Sequence, residues 1–216
     1  MRGFYVAQPD MRVPRTGERI VVGETVTIAD DVVPVIYYAG LHASVSVLDT
    51  LLSRSFGCLT LVDVTGDLVF DLDGDKICGR ARKTIKALSV KRTERLLREI
   101  ACANAELALQ WGCYDVGLEP DQQAIDVIDV ARRFARGRAT PRELVDARHA
   151  AFMFVMGPEV AVVASGAGHA AQETACLAAA FASARAAQRH HAYDAAWVAL
   201  HNVADRMALD ALGGAP

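Results

Sequence analysis

Bulky aromatic side chains are scarce in this chain of 216 residues, at 6% of positions, and much of its 52% hydrophobic content is alanine. Alanine removes little area from water, so a thin, helix-packed core is expected rather than a bulky one. Positive charge is not in excess either. A net charge of −3 excludes the overall basic footprint of a dedicated nucleic-acid binder. The five cysteines, Cys58, Cys78, Cys102, Cys113 and Cys176, include no C-x-x-C pair. Their odd number and wide spacing speak against a disulfide framework or a zinc site, and they read as reduced, buried small hydrophobes. Met1 to Asp10 holds Arg2, a short apolar stretch and then Pro9-Asp10, without the apolar h-region of a signal peptide behind a basic start, so secretion is not expected and a cytoplasmic setting is. The most membrane-like stretch, Ala150 to Gln172, is broken by Gly157-Pro158, Glu159 and His169. It is otherwise rich in Ala and Gly, which insert weakly, and no membrane association is expected.

What is present is a change of pattern along the chain. Gly3 to Gln8, Arg19 to Ile28 and Val32 to Tyr38 are rich in Val, Ile, Thr and Tyr and are separated by Pro and Gly, as strands joined by turns are. Ser44 is placed to cap a short helix carrying Val47, Leu48, Leu51 and Leu52. Cys58 to Val64 and Leu68 to Leu72 read as two strands of a hairpin around Thr65-Gly66-Asp67. From Lys76 onward the apolar residues fall on helical stripes. Leu96, Ile100, Ala103, Leu107 and Trp111 line one side of a helix from about Thr93, and a second runs from about Asp121 to Arg136 and stops at Gly137. Thr140-Pro141-Arg142-Glu143 combines an N-cap threonine, a proline at the first helical position and a glutamate that reaches back to the cap amide, so a helix starts there and should run to about Met156. The expected fold class is therefore α+β: a small β-rich unit over residues 1–75, followed by an all-helical, alanine-rich C-terminal bundle. Within 76–216, connecting helices would fill 76–136 and alanine-rich helices 140–212.

Four places invite a chemical reading. Asp71-Leu72-Asp73-Gly74-Asp75 has the alternate carboxylates with which calcium loops begin. Lys76 stands where the loop needs glycine, however, and Arg82 where it needs a closing glutamate, so a polar turn is expected and no metal. Arg80, Arg82, Lys83, Lys86, Lys91, Arg92, Arg95 and Arg98 place eight of the 23 basic residues in one segment with only Glu94 among them, a candidate basic surface for phosphates or an acidic partner. His190, Asp194, Trp197, His201 and Asp205 form a polar stripe of the last helix. His190 and His201 stand about 16 Å apart at 1.5 Å per residue, so they cannot share a metal, and the stripe reads as a solvent face. Ser165-Gly166-Ala167-Gly168 has glycines but neither the third glycine nor the lysine of a phosphate loop. The remaining candidate is Tyr37-Tyr38-Ala39-Gly40-Leu41-His42-Ala43-Ser44. There a strand feeds a glycine turn, and Tyr37, Tyr38, Gly40, His42 and Ser44 form a candidate ligand or recognition turn.

Gly40 to Ser44, followed by Val47-Leu48-Asp49, resembles the Gly-(aromatic or Leu)-His-Ala-(Ser or Cys) block of an uncharacterised domain family of bacteriophage and bacterial genomes. Val62 to Asp67 and Gly74-Asp75-Lys76-Ile77-Cys78-Gly79-Arg80 look like that family's following strand and acid-Lys block, and the similarity covers roughly residues 3 to 115. The glycine turn after Tyr37-Tyr38 also looks like one of the ADP-ribosyltransferase superfamily, which would imply an NAD site near Tyr37, Tyr38 and His42. The Ser-Thr-Ser strand and the late-strand glutamate of those enzymes are missing, and with them the charge that would stabilise a departing nicotinamide. No catalytic residue and no cofactor are expected. The expectation is a non-enzymatic accessory protein of phage type, in a bacterial or infected cell, acting through a protein partner or through self-association of its helices. An NAD-binding enzyme and nucleic-acid contact through residues 80–98 are the alternatives.

Overall fold

The computed structural model describes residues 1–13, 16–53, 57–114, 122–147 and 192–213. Along the sequence these form β1 (Arg2–Ala7), β2 (Thr25–Thr27), β3 (Leu41–Ser44), α1 (Val47–Ser53), β4 (Cys58–Thr65), β5 (Val69–Phe70), β6 (Lys76–Gly79), β7 (Ala81–Ala87), α2 (Val90–Tyr114) and α3 (Gln122–Ala135). Helical residues 141–147 (α4) and α5 (Ala192–Leu212) follow. The strands make one antiparallel sheet in the order β2-β7-β4-β1-β3-β6-β5. By contacts the chain divides into two compact units, Met1–Glu94 with Ala204–Pro216, and Arg95–Val203.

This corrects the expected fold class. The sheet does not end near Leu72; it continues through β6 and β7, and β7 lies inside it between β2 and β4. Only Arg80 separates β6 from β7, so Lys76 to Ala87 is one extended run that serves two sets of neighbours. Its first part pairs with β3 and β5, and its second with β4 and β2. At the crossing the backbone of Gly79 lies so close to Thr65 that an added Cβ would stand 2.8 Å from the Thr65 carbonyl oxygen and from Val64. The helical reading failed here because β7 is Ala-Arg-Lys-Thr-Ile-Lys-Ala. Its interior-facing positions are filled by Arg82 and Thr84, both buried, where a sequence pattern looks for Val or Ile. Nor is the region after residue 75 a self-contained helical bundle, since residues 204–213 belong to the sheet unit. The alanine-rich stretch 148–191, with Gly157-Pro158, Ser165 to Gly168, Cys176 and His190, lies outside the described residues.

Alternation explains the sheet's core. On β4, Val62 and Val64 point to one face and meet Ala43 of β3 and Ile77 of β6, with Tyr5 and Val45 packed against them. A second cluster joins Ala7, Ile20 and Cys58 with Met11 and Val13 of the following loop. The predicted strands at Gly3 to Gln8 and Cys58 to Val64 are present as β1 and β4, paired from Arg2↔Asp63 to Ala7↔Cys58. The predicted β4–β5 hairpin is not: β4 pairs with β1 and β7, and β5 with β6. Thr93 on α2 locks onto β4 by accepting the Leu59 N–H at 3.0 Å.

Helix α1 is capped differently from the reading above. Ser44 is a buried strand residue opposite Lys76, and Ser46 is the cap, its hydroxyl accepting the Leu48 N–H at 3.2 Å. Asp205 from α5 completes the arrangement by accepting the Val47 N–H at 2.7 Å and the Ser46 hydroxyl at 3.0 Å. Asp205 is thus no solvent-face residue. Its neighbours Ala204, Ala208 and Leu212 are buried, and Lys86 donates to the Gly213 carbonyl at the helix end. Asp205→Ala leaves an amide and a hydroxyl unpartnered in a half-buried place, so a loss of about 1–2 kcal/mol is expected in urea unfolding. A change below the error of the fit would contradict this role.

In the other unit, α2 and α3 are joined by ion pairs from Glu106 to Arg132 (2.5 Å) and from Glu99 to Arg136 (3.5 Å), and the Arg98 guanidinium lies 5.4 Å from the Phe134 ring centre. Helix α3 closes at Ala135, and Gly137 just past it lies in the left-handed region at φ 70°, the stop that the sequence indicates. At α4 the Glu143 carboxylate accepts the Thr140 N–H at 2.8 Å while Thr140 Oγ1 accepts the Glu143 N–H at 3.2 Å, the reciprocal cap expected there. No helix among the described residues is long and apolar enough to cross a membrane.

Candidate functional site

The segment 32–38, expected as a strand, belongs to a loop over 32–40 closed by an isolated Val35↔Ala39 bridge. Arg80 fixes its start. Nη1 donates to the Val32 carbonyl at 2.9 Å and Nη2 to those of Ala29 and Asp30 at 3.0 and 2.7 Å, with the carboxylates of Asp67 and Asp30 at 3.6 and 3.8 Å. Gly40 fixes its end at φ 108°, where an added Cβ would collide with Cys78 Sγ and crowd the Gly79 carbonyl and Pro34. Between these anchors Tyr37 is held at φ 68°, a left-handed conformation that a bulky aromatic adopts only under constraint.

The constraint has identifiable parts. The Tyr37 N–H donates to His42 Nε2 at 3.1 Å, so that imidazole nitrogen serves as an acceptor for the backbone. The Tyr37 hydroxyl donates to Asp71 Oδ2 at 3.2 Å, and the Lys76 ammonium sits 4.9 Å from the ring centre. These contacts fasten the loop to the β5–β6 hairpin. Desolvation raises the Tyr37 pKa, and the bond to Asp71 and the charges of Asp71, Asp73 and Asp75 raise it further. Desolvation works the other way on Asp71, but the Lys76 N–H, the Tyr37 hydroxyl, the Asp75 N–H and the charge of Lys76 prevail and hold its carboxyl below the usual value.

Asp71 to Asp75 is the turn of that hairpin. The Gly74 N–H returns to the Asp71 carbonyl at 3.2 Å, and the Lys76 N–H donates to Asp71 Oδ1 at 3.0 Å. Among the described residues no group of three or more His, Cys, Asp or Glu side chains is placed to hold a metal ion. What loop and hairpin present instead is apolar surface: Val33, Val35, Tyr37, Tyr38, Phe70 and Leu72 are all exposed, Tyr38 at 83% and Leu72 completely. The sequence singled out Tyr37 and Tyr38 but missed Phe70 and Leu72, whose local pattern is that of an ordinary strand end.

The predicted recognition turn is therefore divided by the fold. Tyr37 and Tyr38 face outward, Gly40 and His42 support them from behind, and Ser44 is buried in β3. The residues of the predicted basic surface make separate contacts. Arg80 holds the 29–32 loop, Arg82 is buried, Lys86 bonds the Gly213 carbonyl, Arg95 pairs with Glu99 at 3.1 Å, and Arg98 covers Phe134. Lys83, Lys91 and Arg92 are exposed. Cys58, Cys78 and Cys102 are buried thiols. Burial pushes all three up in pKa, Cys102 to about 11, which leaves them weak nucleophiles. Comparison with known proteins finds no matching family model, no matching curated relative and no matching solved structure.

Proposed function

We propose that this chain is a non-enzymatic accessory protein of phage type that works through protein contacts, made by the Tyr37–Tyr38 loop and the β5–β6 hairpin of its sheet unit. One observation carries the reading: six large apolar side chains stand exposed on two short segments that a dedicated set of bonds ties together. Exposed apolar surface of this kind, rich in Tyr and Phe, is what protein interfaces are built from. The strained Tyr37 backbone supports it, because strain persists where the surroundings enforce it and here they enforce an outward-facing aromatic pair. His42 fits the same reading, since its Nε2 accepts a backbone N–H that shapes the loop. The phage assignment rests on the resemblance of Gly40 to Ser44 and Gly74 to Arg80.

Peptides selected from a display library against the full chain test this directly. Tyr38→Ser combined with Leu72→Ser removes the two most exposed apolar groups, and it is expected to weaken selected peptides by roughly tenfold or more while leaving the melting temperature unchanged. Undiminished binding to that variant would reject the surface.

A further inference from the structure

Strand β5 is an edge of the sheet; among the described residues no strand lies beyond it. The Asp71 N–H bonds the Lys76 carbonyl at 3.2 Å, which makes Asp71–Lys76 a hydrogen-bonded pair of the β5–β6 ladder. In an antiparallel ladder such pairs alternate with non-bonded ones, so at Phe70, opposite Ile77, the N–H and C=O point away from β6 toward the open edge. An edge of this kind is a template for a further strand.

Its charge is one-sided. Residues 29–42 and 65–80 carry Asp30, Asp31, Asp67, Asp71, Asp73 and Asp75 against Lys76 and Arg80, and Arg80 stands beside Asp30 and Asp67, which leaves Asp31, Asp71, Asp73 and Asp75 to outweigh Lys76. Carboxylates beside an edge strand disfavour neutral apolar strands, whose docking strips the carboxylates of water without compensation, and repel second copies of the same edge, which bring like charge. A strand bearing lysine or arginine meets neither penalty. Exposed apolar groups flank the same edge, with Phe70 and Leu72 on the hairpin and Tyr37 bonded to Asp71.

We infer that the occupant of this surface is an extended basic segment of a partner protein, alternating apolar and Lys or Arg side chains, added as a strand to the outer edge of β5. The inference rests on the docking reading above and names the partner's chemistry and its mode of attachment. Backbone bonds at Phe70 give the register, the apolar side chains lie against Phe70, Leu72 and the tyrosines, and the basic ones face the aspartates.

The test uses the full chain and linear peptides from the display library, synthesised and measured by fluorescence anisotropy. Selected peptides are expected to carry net positive charge with alternating apolar residues and to weaken as salt is raised. Phe70→Pro removes the outward N–H without touching the ladder to β6, and it is expected to weaken them about tenfold beyond Phe70→Ala. Asp73→Lys, at an exposed turn position, is expected to weaken them comparably with the fold intact. Neutral or acidic winners, or basic winners indifferent to both Phe70→Pro and Asp73→Lys, would overturn the strand-addition inference. If those winners still failed on the Tyr38→Ser/Leu72→Ser variant, the docking reading would survive it. A library that yields no binder at all overturns both.

Discussion

Gly40→Ala is expected to lower stability by roughly 3–5 kcal/mol, enough to leave much of the chain unfolded at physiological temperature. Two costs add. The backbone at φ 108° is open to glycine and strained for any other residue, and the new methyl group falls on Cys78 Sγ, which is itself fixed by donating to the Ala39 carbonyl at 3.2 Å. The neighbouring Gly79 carbonyl and Pro34 are backbone and yield little. The two costs are separable: Gly40→Ala with Cys78→Ala relieves the collision and keeps the backbone strain, so about half the loss should return in urea unfolding. A single variant as stable as the parent would show that the loop does not need its glycine, and with that the account of how Tyr37 and Tyr38 are presented would fall.

The second large effect concerns Arg82. The residue is 4% exposed, and its guanidinium stacks 3.9 Å from the Tyr5 ring centre and donates from Nη1 to the His42 carbonyl at 2.8 Å. No carboxylate of the described residues forms an ion pair with it. Desolvation lowers its pKa, partly offset by Tyr5 and Glu18. Arg82→Ala is expected to cost about 3–4 kcal/mol, from the cavity beside Val62 and Val64 and from the orphaned carbonyl. Arg82→Met fills the space, frees the fold from holding a buried charge, and should come within about 1 kcal/mol of the parent. Equal losses in the two variants would mean that the charge itself, rather than the volume of the side chain, holds the sheet halves together.

Arg82 also shows why part of the fold could not be read from sequence. A strand pattern is sought in Val, Ile and aromatic residues at alternate positions, and β1 and β4 display it. In β7 those positions fall to an arginine and a threonine, so the strand passes for part of a basic helical region. The reverse error occurs at 32–38. Val32, Val33, Val35, Ile36, Tyr37 and Tyr38 have strand propensity, yet the stretch is a loop whose apolar side chains are largely exposed. Local signals that close on themselves were legible, as at Gly137 and the Thr140–Glu143 cap. The clasp between Tyr37 and Asp71 joins residues 34 apart in sequence, and the Asp205 cap reaches Ser46 across 159. Nothing in a local window announces either.

Chemical-shift mapping on the isotope-labelled full chain, titrated with a selected basic peptide, shows whether the tyrosine loop and the β5–β6 hairpin form the docking surface. Shifts are expected to concentrate in residues 33–38 and 68–73, with the Phe70 amide gaining protection from exchange. Shifts confined to the exposed bases Lys83, Lys91 and Arg92, with the tyrosine loop and the hairpin unmoved, would contradict that role.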